Sequence, residues 1–153
     1  MAVLETHIFK AHNNIYIEQP EENYRTREIR TEMVFPDCVN ENTGMLVLIP
    51  GYGGNIDSHV FRKMREVFAE QYNLITVQCD YFGNKFMDVK QPEEMKLIAT
   101  MENIVNAEIY YKVEDFETVE EFNDMGIMQA IDIVSSTICA IYEIIRKGYV
   151  FLL

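Results

Sequence analysis

The apolar and polar positions in the middle of the chain follow the order of a strand, a helix and a second strand. Residues 45–49 form a continuous apolar run, which is typical of a parallel strand covered on both faces. Apolar residues then recur at helical spacing over residues 60–68, with Asn55 or Asp57 as the predicted N-cap. Residues 74–79 are a second predicted buried strand. The stretch has the length of one βαβ unit, which predicts an α/β fold with parallel strands.

The start of the chain carries the shorter patterns of antiparallel strands. Two short strands are predicted at Val3–Phe9 and Ile15–Glu18, with Asn13-Asn14 as the turn between them. From Thr26 to Phe35 apolar and charged residues alternate, which predicts an antiparallel strand with one face exposed to solvent. Antiparallel strands are therefore expected over residues 1–44.

A long helix dominates the pattern of the C-terminal third. It is predicted over residues 119–147 and ends before Gly148, a common residue at helix C-termini. Gly126 lies inside this range and is expected to interrupt the helix at a cost of about 1 kcal/mol relative to alanine. Tyr149–Leu153 then has the composition of a third buried strand. Parallel strand–helix units are therefore predicted over residues 45–153, within a single domain.

Composition and charge argue against some classes of binding partner. The formal net charge of -12 argues against binding to nucleic acid or to anionic membrane surfaces, because both attract basic patches. Three widely spaced cysteines without a Cys-x-x-Cys motif favour a reducing, cytoplasmic setting. The apolar stretch 127–145 contains Asp132 and Glu143. We therefore interpret it as a buried helix of a soluble protein rather than as a membrane span.

The most informative candidate site is the glycine-rich turn after the first apolar run. Its residues are Gly51, Tyr52, Gly53 and Gly54. Glycines permit a sharp turn and close approach of the backbone to a ligand. The free N–H groups of the following helix point back at this turn, which is typical of an anion or oxyanion site. No Gly-Lys-Ser/Thr follows, as a P-loop requires, and the glycine spacing differs from that of dinucleotide-binding turns.

Two segments carry a resemblance to α/β-hydrolases. The sequence Ile-Pro-Gly-Tyr-Gly-Gly-Asn, residues 49–55, resembles the His-Gly-x-Gly-Gly turn that follows the third strand of these enzymes. The stretch Asp124–Ile133 is similar to a helix of an uncharacterised bacterial family of α/β-hydrolase-like proteins. Members of that family occur in gene neighbourhoods for flagellar glycosylation in Campylobacter-like bacteria. The resemblance implies a partial α/β-hydrolase-like, three-layer fold, of which this chain would be the N-terminal half.

The resemblance assigns only part of a hydrolase site to this chain. In α/β-hydrolases the strand after such a helix leads into the nucleophile elbow, and the acid and the histidine follow later. No Gly-x-Ser-x-Gly occurs in the 153 residues, so the chain is expected to be truncated within that strand, at Tyr149–Leu153. The backbone N–H of Tyr52 would then be the first oxyanion-hole donor, and the three glycines around it would shape the turn. Pro50 stands in place of the usual histidine.

Other reactive groups in the sequence do not form a recognisable catalytic set. Ser58 and His59 are adjacent at the predicted helix start, where their side chains point in different directions. Cys79 is expected to be a buried structural thiol. Asp80 and Tyr81 follow the second strand, where open α/β sheets bind ligands, and are candidates for lining a cleft. We therefore predict no catalytic residue, no metal site and no cofactor in this chain.

Two functions remain open for the chain. The first is that of an N-terminal fragment, inactive alone, whose full-length relatives would be serine esterases, deacylases or acyltransferases. The second is that of a non-catalytic binding or assembly module completed by a partner chain. In that case Tyr149–Leu153 would be an edge strand that pairs with another copy or with a complementing C-terminal chain, because an exposed apolar edge readily adds a strand.

Overall fold

The computed structural model describes residues 2–16, 25–51, 55–83 and 126–149. Within these ranges the chain is a mixed α/β structure with one four-stranded sheet and two helices. The strands are β1 (Val3–Ala11), β2 (Arg27–Phe35), β3 (Gly44–Val47) and β4 (Leu74–Cys79), and the helices are α1 (His59–Tyr72) and α2 (Ile127–Arg146). The predicted α/β class is confirmed.

The sheet is antiparallel at one side and parallel at the other. Its strand order is β1-β2-β4-β3. β2 is antiparallel to both of its neighbours, β1 and β4, whereas β3 and β4 are parallel. The connection from β3 through α1 to β4 is the predicted strand–helix–strand unit, and β4 spans the predicted residues 74–79.

The position of each strand in the sheet decides its burial, and two of the burial predictions are wrong. The alternating pattern predicts one exposed face for β2, but this strand is central and its last five residues are all buried. The apolar run predicts full burial for β3, which instead lies at the edge of the described sheet and is half-buried along its length. A sequence pattern reports side-chain polarity, whereas burial also depends on which elements cover each face.

One helix packs on each face of the sheet. On one face the hydroxyl of Thr76 donates to the backbone oxygen of Arg65 in α1 at 3.2 Å. On the other face α2 packs against β2 and β4. The buried apolar cluster there consists of Met33, Phe35, Ile75, Val77, Ala140 and Ile144. Successive residues of a strand point to opposite faces, so β4 supplies apolar side chains to α2 and polar ones to α1.

The apolar stripe that predicts α1 is not its most buried face. Val60, at the start of that stripe, is 65% exposed, and the two fully buried residues are Arg65 and Ala69. The N-cap is Ser58, whose side chain makes no capping hydrogen bond, so the prediction of Asn55 or Asp57 is wrong. α1 is therefore oriented by the polar contacts of Arg65 with the sheet and not by its longest apolar side chains.

The predicted pairing of the strands Val3–Phe9 and Ile15–Glu18 in a hairpin is wrong for the residues that the structure describes. β1 pairs with β2 instead, and residues 15 and 16 lie in a turn; the rest of the predicted strand falls outside the described residues. Asn13 holds this turn to the start of β2, because its side-chain oxygen accepts the backbone N–H groups of Thr26 and Arg27 at 3.0 and 3.2 Å. Asn13 is thus a turn residue, but the strand that β1 meets is much further along the chain.

α2 begins later than the predicted helix. Its first residue is Ile127, and Gly126 before it has a φ of 77°, in the left-handed region that favours glycine. Gly126 is therefore the N-cap of α2 and not an interruption inside it. Residues 119–125 of the predicted helix lie outside the described residues.

The predicted C-terminus of α2 is confirmed: the helix ends at Arg146, and Gly148 after it has a φ of 79°. The N–H groups of Gly148 and Tyr149 donate to the backbone oxygens of Ile145 and Ile144 at 2.8 and 3.2 Å. These two bonds form a Schellman motif, which closes the helix. Of the predicted strand Tyr149–Leu153 only the first residue is described, so that prediction lies outside the described residues.

α2 is long and apolar enough to cross a membrane, by length and composition only. Core helices of soluble proteins share these properties, so the finding is weak evidence. Asp132 lies on the buried face of α2 with 0% exposure, in contact with the guanidinium of Arg27 at the start of β2. The Arg27 side chain is 27% exposed, so this ion pair joins the helix to the sheet at the margin of the core.

Candidate functional site at the carboxyl ends of β3 and β4

The carboxyl ends of β3 and β4 meet at one edge of the sheet, because these strands are parallel. In open α/β sheets this edge is where ligands bind. Residues 48–58 lead from β3 to α1, and residues 80–83 follow β4. Gly51 belongs to the predicted oxyanion turn and is exposed. The other residues of that turn, Tyr52, Gly53 and Gly54, lie outside the described ranges.

Tyr81 ties the two loops of this edge together. Its hydroxyl donates a hydrogen bond of 2.8 Å to the backbone oxygen of Pro50, directly before the glycine turn. Tyr81 is 6% exposed, and burial raises the pKa of its hydroxyl, so the proton needed for this bond is retained at neutral pH. This cleft candidate therefore ties the loop after β4 to Pro50 in the loop after β3.

Replacing Tyr81 by phenylalanine is expected to lower the free energy of unfolding by about 1–2 kcal/mol, because the buried oxygen of Pro50 loses its donor while the ring stays in place. Urea denaturation measures the loss. Tyr72→Phe is the matched control: Tyr72 is 62% exposed, and the change should cost under about 0.5 kcal/mol. Equal stability of the two variants would contradict the role of the Tyr81 hydroxyl.

Asp80, the other cleft candidate, is part of an ion-pair network. Arg30 donates from Nε to Asp80 at 2.9 Å, and from its two Nη atoms to Asp57 at 3.3 and 2.6 Å. Arg62 of α1 donates to Asp57 at 3.1 Å. The hydrogen bonds between Arg30 and Asp57 lower the pKa of Asp57 and raise that of Arg30. Arg30 and Asp57 therefore stay charged at neutral pH, and the network links β2 to both loops.

The side chain of Asp132 in α2 holds the loop after β4 in place. One of its carboxylate oxygens contacts Arg27, and the other accepts the backbone N–H of Phe82 at 2.7 Å. The guanidinium of Arg27 also lies over the Phe82 ring, 5.2 Å from its centroid. Burial raises the pKa of Asp132, while these partners favour its charged form. Asp132 holds one end of the candidate cleft through a backbone group.

Sequence reasoning assigns no site role to Arg30, Asp57 or Asp132. One pattern in the sequence could have indicated Asp132. This acid lies four residues from both Met128 and Ser136, so the three side chains share one face of α2. An acid on an otherwise buried helix face needs a cation or N–H partner, because an unpaired buried charge is very costly. The partners of Arg30 carry no such local signal.

The nucleophilic side chains that the structure describes lack a positioned base. Cys79 is buried, and burial raises the pKa of its thiol to about 11, in keeping with a structural role. The hydroxyl of Ser136 lies 2.8 Å from that of Thr31 in the core. Across the described ranges no serine or cysteine is hydrogen-bonded to a histidine. Nor do those ranges contain three His, Cys, Asp or Glu side chains grouped to hold a metal ion.

A separate groove of about 600 Å³ lies between α1 and the face of β1 and β2. Leu4 and Val34 give it an apolar wall, and the ion pair of Glu32 with Arg65 closes its inner side. The groove lies over the face of the sheet and shares Arg62 with the ion-pair network of Asp57. Its inner side is level with Gln78, near the carboxyl end of β4, so the groove adjoins the candidate site.

Comparisons with known proteins were made against families, sequences and structures. No family model, curated protein or solved structure matches the chain. Its function must therefore be inferred from its own residues and geometry.

Proposed function

We propose that this chain forms the oxyanion-turn side of an α/β-hydrolase-like site. The observation that carries the proposal is the connection from β3 to α1. In α/β-hydrolases one oxyanion-hole donor is a backbone N–H in the loop between the third strand and the helix after it. Here two antiparallel strands precede β3, and the Gly51 turn and α1 follow it. The bond from Tyr81 to Pro50 supports the proposal, because oxyanion donors act only when held in place before the reaction.

The chemistry proposed for the complete site is acyl transfer by a serine nucleophile, as in esterases, deacylases and acyltransferases. The backbone N–H of Tyr52 would donate to the oxyanion of the tetrahedral intermediate, with the glycines of the turn allowing the close approach. The nucleophile and the second donor would come from a nucleophile elbow, a motif that these 153 residues do not contain. The chain by itself would then be inactive.

Hydrolysis of 4-nitrophenyl butyrate by the purified 153-residue chain tests the predicted inactivity. We expect the rate of the buffer alone, because no serine or cysteine in the described ranges is hydrogen-bonded to a histidine that could activate it. Turnover that disappears on replacement of a residue in this chain, such as Ser58→Ala, would overturn the prediction.

The role of Tyr52 is tested by co-expressing the chain with a candidate complementing chain that carries a Gly-x-Ser-x-Gly motif followed by an acid and a histidine. We expect ester hydrolysis by the pair. Tyr52→Pro removes the proposed N–H donor and is expected to lower kcat by about 10²–10³-fold. Tyr52→Ala keeps the N–H and is the matched control. An inactive pair, or equal activity of the two variants, would overturn the proposed role.

A second candidate function is that of a non-catalytic binding or assembly module. One observation favours it: the outer edge of β3 has no neighbouring strand in the part of the sheet that the structure describes. Such an edge offers unpaired backbone groups to a strand from another copy or from a complementing C-terminal chain. A monodisperse complex that melts cooperatively but never hydrolyses an ester would favour this function over the first.

We also infer that the protein works in a reducing, soluble compartment such as the cytoplasm. All three cysteines are free, and the burial of Cys79 keeps its thiol protonated. The net charge of -12 supports the expectation that neither nucleic acid nor an anionic membrane is the partner.

A further inference from the structure

α2 carries a second apolar face that points away from the sheet. Its buried residues recur at every fourth position from Met128 to Ile144. The opposite side carries five large apolar side chains that are 43% to 65% exposed. This outer stripe consists of Ile127, Val134, Ile138, Tyr142 and Ile145. A helix that is apolar on both sides is normally covered by protein on both sides. We therefore expect another protein surface to cover the outer stripe.

The outer stripe is symmetric about its midpoint. Ile127 and Ile145 each lie nine residues from Ser136, and Val134 and Ile138 each lie two residues from it. When two helices pair antiparallel across a two-fold axis, residues at equal distances from the midpoint face each other, and every contact occurs twice. Ile127 of one copy would then meet Ile145 of the other, and Val134 would meet Ile138.

The residues beside the stripe are also compatible with this arrangement. Ala130 and Tyr142 both lie six residues from the midpoint, and both are exposed. They lie about 120° apart around the helix axis, so the small side chain flanks one side of the stripe and the large one the other. Ile131 and Ile141 lie five residues from the midpoint, and both are half-buried. They lie at about 40° on either side of the stripe's centre line, so each would extend the apolar surface at one margin of the stripe.

We propose that α2 pairs with α2 of a second copy of this chain, antiparallel across a two-fold axis at the level of Ser136. Five large side chains at about half exposure offer on the order of 500 Å² of apolar surface per copy, or about 1,000 Å² for a pair, which is the lower limit for a specific interface. The proposal is independent of the proposed hydrolase-like function, since the outer stripe and the carboxyl edge of the sheet are separate surfaces.

Charge is compatible with this pairing. The outer stripe contains no charged side chain, and the nearby Glu143 and Arg146 are paired within α2 at 2.6 Å. The antiparallel arrangement places the C-terminus of each helix beside the N-terminus of the other, where their partial charges are opposite. The net charge of -12 per copy opposes association at a distance, so added salt should strengthen the dimer by screening.

Sedimentation equilibrium over about 5 to 500 μM chain tests the proposal. We expect the weight-average mass to rise from 17.9 kDa towards twice that value, and to rise further when NaCl is raised from about 50 to 500 mM. Ile138→Glu places two carboxylates at the centre of the interface and should raise the dissociation constant at least about tenfold. Val60→Glu is the matched control, because Val60 is an equally exposed helix residue outside the stripe.

A charge pair tests the proposed register. The double variant Val134→Lys with Ile138→Glu places a lysine opposite a glutamate across the axis in both directions, so it should associate more tightly than Ile138→Glu alone. Far-ultraviolet circular dichroism shows that each variant is folded. A chain that stays at 17.9 kDa at every concentration overturns the proposal and means that something else covers the stripe. A dimer unaffected by Ile138→Glu, or not restored in the double variant, also overturns it.

Discussion

Replacing Arg65 by methionine is expected to lower the free energy of unfolding by about 3–5 kcal/mol, because the change leaves a buried carboxylate without its cation. Arg65 is 1% exposed and Glu32 is 7% exposed, and Nη2 of Arg65 contacts the carboxylate of Glu32. Nη1 of Arg65 also donates to the backbone oxygen of Ile56 at 3.0 Å and contacts the side-chain oxygen of Gln78. One side chain of α1 therefore satisfies acceptors from β2, β4 and the turn before α1.

The double variant with methionine at both Glu32 and Arg65 is expected to recover most of that loss. Two methionines of similar length can fill the space, and an apolar pair carries no desolvation cost. Nε of Arg65 and Nε2 of Gln78 already lack partners in the described structure, so the polar cluster is not fully satisfied. Recovery would show that the pair gives α1 its orientation rather than its net stability.

Urea denaturation of the two variants measures this difference, with Arg62→Met as the control. Arg62 lies on the same helix, its side chain is 53% exposed, and its replacement should cost under about 1 kcal/mol. If the single Arg65 variant is unfolded in buffer, the double variant is still expected to fold. An Arg65→Met protein as stable as Arg62→Met would contradict the buried ion pair.

Replacing Ile144 by alanine is expected to cost about 2–5 kcal/mol through the cavity that it leaves. Ile144 is 0% exposed and packs with Met33, Ile75 and Val77, so the surrounding strands cannot collapse onto the missing atoms without moving the sheet. The same cluster holds α2 on the sheet, and α2 in turn supports the loop after β4 through Asp132. Ile144→Ala should therefore also raise the rate of hydrogen exchange at the Phe82 amide.

The adjacent residue is the control for this prediction. Ile145 is 60% exposed, and Ile145→Ala should cost under about 0.5 kcal/mol when unfolding is measured at low micromolar concentration. Thermal and urea denaturation of both variants measure the contrast. Equal losses for Ile144→Ala and Ile145→Ala would contradict the burial of Ile144 on the sheet-facing side of α2.

The central strand–helix–strand unit is predictable because its signals are local. The apolar run before the glycine turn, the helical spacing after it and the second strand at 74–79 each depend on neighbouring residues. The end of α2 at Gly148 is local in the same sense, since the left-handed residue that closes a helix is usually glycine. Gly126 shows the limit of such signals: a glycine can mark either the start of a helix or a weak point within it, and the sequence does not distinguish the two.

The burial of β2 and the partners of the candidate site depend on contacts between distant residues. Glu32 meets Arg65, Asp80 meets Arg30 and Phe82 meets Asp132, at separations of 33, 50 and 50 residues. Nothing in a window of ten or twenty residues reports such a contact. The sequence therefore indicates the edge of the sheet at which a site would lie, but not that Asp80 and Tyr81 are engaged in holding its loops.

By itself the sequence determined the α/β class, the βαβ unit and the C-terminal end of α2. Each of these follows from periodicity or from the conformational freedom of single residues, which act over a few positions. Only the tertiary structure decided that β1 pairs with β2, that β3 lies at the edge of the sheet within the described residues, and that α1 faces the sheet with an arginine. The physical reason is that strand order and the pairing of buried charges minimise the free energy of the whole assembly of elements, which no single segment encodes.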